Sequence, residues 1–138
     1  MPTLPSGLPE IIDPTEDIAR FLCQNRHFRQ DSVRHEAFLP NPKDRETSVS
    51  RHGREPSTDL WELGRTGCGE RTLYGAAIVK ALSVTRLSLE LIAQEGPPHH
   101  AVIKGWPWND LDPVEQKSIQ KELALRLATE AGRPVLIR

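Results

Sequence analysis

At 138 residues, with 37% hydrophobic and 27% charged side chains, the chain has the length of one domain and enough apolar content to bury a core. Eighteen Lys and Arg against nineteen Asp and Glu leave a formal charge of -1, which argues against the strongly basic surface of a dedicated nucleic-acid binder. The start "MPTLPSGLPEIIDP" has no basic region leading into an apolar core, and no apolar run approaches the roughly 20 residues of a membrane span, so a cytoplasmic protein without membrane association is expected.

A single domain over residues 1–138 is expected, with 1–10 a flexible or loosely packed segment. "DPTE" at 13–16 places Asp, Pro and Glu where a capping box needs them, and Ile18, Phe21 and Leu22 follow at helical spacing. A first helix over about 14–25 is predicted. Cys23 and Cys68 match neither a disulfide framework nor a zinc spacing, and reduced thiols are the simpler reading. "RHEAFLP" and "ETSVSRH", joined by the turn-like "NPKDR", read as a hairpin. "PSTDLWELG" reads as a short helix capped by Ser57 or Thr58, burying Leu60, Trp61 and Leu63 and ending at Gly64. "RTGCGE" is then a flexible connection, with Cys68 an inert loop thiol.

Residues 72–86 can be argued either way, since Ala favours a helix while Ile78, Val79 and Val84 favour a strand; a strand entered from a turn is preferred. "SLELIAQE" and "HHAVIKG" form a second hairpin across "GPP". "DPVE" at 112–115 starts a long helix over about 113–131, with Ile119, Leu123, Ala124, Leu127, Ala128 and Ala131 on one stripe and Gly132 as its stop. "PVLIR" suits a buried terminal strand. The expected fold class is α+β: a mainly antiparallel sheet of two hairpins packed against the long C-terminal helix.

The candidate chemistry is dispersed. In an extended strand His99 and His100 point to opposite faces, so the pair does not bind one metal, and no zinc spacing supplies other ligands. No metal or cofactor is implied. Trp106, Pro107 and Trp108 read as packing where a strand leaves the sheet, or as a docking patch for another protein. Residues 26–54 hold seven Lys and Arg against four Asp and Glu; Arg34, Arg45, Arg51 and Arg54 could contact a phosphate, a nucleotide or a nucleic acid, although a solvated, salt-bridged hairpin explains them as well. His35, Glu36, Ser48, Ser50, Glu90, His99 and His100 would supply an acid, a base and a hydroxyl if the two hairpins lay side by side, with His35, Glu36, His99 and His100 the catalytic candidates. No P-loop, nucleophile elbow, dinucleotide fingerprint or His-Glu-x-x-His helix is present.

"EAFLP", "TSVSR" and "HAVIKGWP", followed by an amphipathic C-terminal helix, resemble small uncharacterised bacterial proteins, some associated with mobile-element or defence-related gene clusters. The resemblance covers about the last two thirds of the chain, leaves the first 25 residues unmatched and implies no activity. The first expectation is therefore a non-enzymatic binding or accessory protein that recognises another protein. The alternatives are a small enzyme acting on a nucleotide, nucleic acid or modified protein, with a His base and Arg phosphate contacts, and a stoichiometric, antitoxin-like inhibitor.

Overall fold

The computed structural model describes residues 2–52 and 58–137. Its elements are β1 (Asp17–Leu22), β2 (Phe28–Arg29), β3 (Ser32–Val33), β4 (Thr47–His52), α1 (Thr58–Cys68), β5 (Gly75–Lys80), α2 (Ala81–Thr85), β6 (Glu90–Ala93), β7 (His100–Lys104), α3 (Pro113–Ala131) and β8 (Val135–Leu136). The fold is α+β. Six strands form one antiparallel sheet in the order β6-β7-β4-β1-β5-β8, and β2 and β3 form a small separate ribbon.

The segment predicted as the first helix is the sheet's central strand. The capping bonds of "DPTE" do form: Asp13 Oδ1 accepts from Thr15 N at 2.8 Å and Glu16 Oε2 from Asp13 N at 3.2 Å. They close one turn only. Ile18, Ala19 and Leu22, all fully buried, then pass between β4 and β5. A strand covered on both faces is apolar on both, so its residues also satisfy helical spacing. Here Ile18 and Leu22 join the larger core while Ala19 and Phe21 join a smaller one behind the sheet.

The expected hairpin over 34–52 keeps its turn and loses its first strand. Asn41 to Glu46 close a loop through Arg45 N to Asn41 O (2.7 Å) and Asn41 N to Glu46 O (2.9 Å), but His35–Ala37 is a 3-10 turn. β4 pairs instead with β1 and β7. The second hairpin is as read, β6 against β7 with Glu90 opposite Lys104 and Ala93 opposite Ala101. Residues 72–86 contain both alternatives in succession, strand β5 and then helix α2.

α3 spans the predicted residues, with Asp112 Oδ1 accepting from Glu115 N at 3.0 Å and Gly132 at φ +65° closing it. Its inner face differs in one place. Ile119 is 39% exposed, and Gln120 is the buried residue, donating Nε2 to Pro107 O at 2.7 Å. Satisfying the Pro107 carbonyl turns position 120 inward, and Ala124, Leu127 and Ala128 follow it onto the sheet. β8 is a two-residue edge strand with Leu136 exposed, less buried than its apolar sequence suggests.

α1 does not end at Gly64. It continues to Cys68, and Gly69 at φ +61° ends it. Gly64 is needed for packing, since a Cβ there would stand 2.8 Å from Leu73 and Phe21 side-chain carbons. That approach seats the helix on β1 and brings Cys68 to Cys23, whose Cα atoms lie 5.5 Å apart in a disulfide. The reduced-thiol reading is corrected: 45 residues separate the two cysteines in sequence, and only the β1–α1 contact makes them neighbours. The proposed caps Ser57 and Thr58 lie outside what is described of the side chains.

Residues 2–10 are fastened to the fold. Thr3 bridges Pro9, Ser6 N and Oγ donate to Glu95, and Arg51 Nη1 donates to Pro9 O at 2.6 Å.

Candidate functional site

The long helix α3 closes one face of the sheet, whereas α1 covers only the β1–β5 part of the other, through Leu60 and Trp61 against Ala19, Phe21, Ala76 and Ile78. Beside α1 the surface of β1, β4 and β7 stays open as a cleft of about 760 Å³. Ser48 and Ser50 stand two residues apart on β4 and so share a face, and Ser50 pairs with His100 on β7 and Ala19 on β1. Of the two hairpin segments whose adjacency that chemistry would require, the strands that come together are β4 and β7.

Arg20 also lines the cleft. The β1–β4 register ends at Ala19 opposite Ser50; beyond it Arg20, which strand alternation places with Ile18 and Leu22, is anchored from both sides of the sheet. Its Nε donates to Ala37 O at 2.6 Å and its Nη1 to Ser48 O at 3.0 Å. Burial, with Arg71 as a second cause, pushes its pKa down to about 10, so it remains a cation at neutral pH. No carboxylate lies within ion-pair distance of it among the described residues.

The histidines enter from the β6–β7 turn. His99 is not in the strand; it adopts φ +65° immediately before β7, so the alternation that would put it opposite His100 does not apply, and both line the cleft. His100 Nδ1 is 2.9 Å from Gln94 O and His99 Nδ1 is 3.2 Å from Arg51 O. A carbonyl only accepts, so each Nδ1 carries the hydrogen and each neutral ring keeps its Nε2 lone pair free to take a proton. Opposite them, α1 presents Asp59, Glu62 and Thr66.

The other predicted residues lie elsewhere. His35 Nδ1 stands 2.8 Å from Glu36 Oε1 and Arg34 Nη2 is 3.5 Å from Glu36 Oε2, in the 3-10 turn packed beneath α3 and outside the cleft. Arg51, only 1% exposed, holds Glu16 with two hydrogen bonds of 2.8 and 3.1 Å and fixes the N-terminal segment. Arg45 lies over the Trp108 ring at 4.7 Å and 4.0 Å from Asp110. Trp106 is 6% exposed, Trp108 is half-buried and Pro107 is tied to Gln120. Arg54 lies outside the described residues.

Arg20, Asp59 and Glu62 were not among the sequence candidates. A signal existed in "DIARFL", where one cation stands among apolar residues of a central strand, but the helical reading took only Ile18, Phe21 and Leu22 from it. Among the described residues no three His, Cys, Asp or Glu side chains are grouped to hold a metal, and no helix is long and apolar enough to cross a membrane. Compared with known proteins, the chain matches no family model, no curated protein and no solved structure.

Proposed function

We propose that the protein binds a small polar ligand in the cleft between α1 and the open half of the sheet. The observation that carries this reading is convergence: Arg20 from β1, two serines from β4 and two histidines from β7 and its turn meet in one concave site although they are far apart in sequence. The burial of Trp106 and the Arg45 guanidinium over Trp108 support it as well, because they occupy rings that would otherwise anchor a partner. The basic segment 26–54 adds little to a nucleic-acid reading, since Arg34 and Arg51 face glutamates and Arg45 faces a ring. Free thiols would have added support to the cytoplasmic expectation, and the Cys23–Cys68 bond removes that support.

Amide shifts recorded while adenosine monophosphate and citrate are added in turn test the reading. Perturbation concentrated at Ser48, Ser50, Glu62 and His100 is expected with at least one small polar probe, these two or a charged aliphatic one; shifts spread evenly over the surface, or absent from all four with every probe, would refute it. If a bound ligand is turned over, His100 Nε2 is the placed proton acceptor, and His100→Gln is expected to abolish turnover while binding persists.

A second reading keeps the first expectation from sequence, docking of another protein. Its observation is that Leu111 (97% exposed) and Val114 (80%) stand just beyond the Trp106–Pro107–Trp108 segment. Affinity purification from the native host tests it: a stoichiometric partner retained by the wild type and lost with Leu111→Asp would support docking, and no such partner would set it aside.

A further inference from the structure

The walls of the cleft carry opposite charges that form no ion pair among the described residues. On the sheet side Arg20 is pinned by the carbonyls of Ala37 and Ser48, so it cannot swing across to α1. Its Nη2 has no hydrogen-bond partner among the described residues and is not sealed from solvent. On the helix side Asp59 and Glu62, three residues apart on one face of α1, form no ion pair among the described residues. An arginine held partly out of water without a counter-ion costs stability, and direct pairing with a nearby acid would be the ordinary remedy. The geometry keeps the two signs apart and leaves room between them.

We propose that the cleft recognises a small zwitterion, its carboxylate or other oxyanion on Arg20 with the Ser48 and Ser50 hydroxyls beside it, and its ammonium or guanidinium group against Asp59 and Glu62. This rests on the cleft being the ligand site and specifies the chemistry of what enters it. The guanidinium supplies donors already aimed, so the anion loses little freedom beyond its own. The carboxylates on α1 discriminate against plain anions, because a second negative charge between them and Arg20 gains on one wall and loses on the other. Phe21 and Leu63, also lining the cleft, accommodate an aliphatic linker.

The test uses one scaffold with its ends changed: 6-aminohexanoate, hexanoate, hexylamine and 1-hexanol, each titrated into the labelled full-length protein while cleft amide shifts are followed. The expected order is 6-aminohexanoate tightest, with each charged end improving affinity several-fold to about tenfold over the hydroxyl analogue. Arg20→Gln should remove the gain from the carboxylate and keep that from the amine; Asp59→Asn with Glu62→Gln should do the reverse. Should Arg20→Gln fail to fold, the helix variant, whose side chains are exposed, still decides the cationic half, and screening by added salt decides the anionic half with the wild type. The inference is overturned if 6-aminohexanoate binds no tighter than hexanoate or hexylamine, or if the helix variant leaves the order unchanged. Cleft shifts with citrate or adenosine monophosphate but none with these four probes would sink the zwitterion and spare the cleft; silence from both sets would sink both.

Discussion

The two faces of the sheet are built to different standards. Toward α3 the apolar residues of β1, β5, β7 and α3 close together: Ile18, Leu22, Val79 and Ile103 meet Leu127 and Ala128, with Phe38 and Trp106 in the same core. Toward α1 the enclosed cluster is Ala19, Leu60 and Ala76, with Phe21, Trp61 and Ile78 at its margin, and the cleft opens beside it. A closed face can supply most of the folding free energy, which allows the other to keep unpaired charges and hydroxyls in a cleft. What the α1 face lacks in buried area, the Cys23–Cys68 bond supplies as a covalent tie.

The largest expected effect follows from that tie. Replacing both cysteines by serine should destabilise the protein by up to about 4 kcal/mol, the loop-closure value for a span of this length. The loss should be local before it is global. Hydrogen exchange should show the amides of α1 losing protection while those of α3 keep theirs. Equal protection of both helices in the double-serine variant would break the comparison, since α1 would then be held by its packing alone.

Why was the closed face more legible than the open one? α3 announces itself through "DPVE", a sustained apolar stripe and Gly132, three local signals that agree. The β6–β7 hairpin likewise rests on alternation and a Gly-Pro-Pro turn. The open face depends on contacts between distant segments. β1 carries a helix cap and a helix-compatible spacing, and only its position between β4 and β5 makes it a strand. The disulfide and the exposure of Arg20 to the cleft follow from that one placement, so misreading it hid both. Ser48, Ser50 and His100 were legible as chemical parts, and their adjacency, a matter of strand register, was not.

Core truncations sharpen the contrast at the next scale. Leu127→Ala should cost about 3 kcal/mol, with full loss of contacts on a face that cannot collapse, and Leu60→Ala about 2 kcal/mol, because its cavity opens toward an existing cleft. Urea unfolding of the two variants measures both. If Leu60→Ala costs as much as Leu127→Ala, the α1 face is as tightly packed as the other and the division between them dissolves.

The smallest effect connects the two sides. His27 is buried next to the β2–β3 ribbon, its Nδ1 has no partner, and burial, followed by the charges of Arg20 and Arg26, pushes its pKa down to about 4. The unfolded chain takes up its proton near pH 6.5 while the folded one resists until about pH 4, so this residue leaves stability untouched above 6.5 and removes it as the pH falls between those values. Between pH 7.5 and 5.5 the loss should be roughly 1 kcal/mol, and a His27→Phe variant should lack that part of the slope. An anion seated on Arg20 would cancel part of the charge that keeps His27 neutral, so a ligand of the cleft should raise the His27 pKa, visible in the ring resonances as a titration shifted toward neutrality. A His27 titration indifferent to a ligand that demonstrably binds would place that ligand's charge away from Arg20.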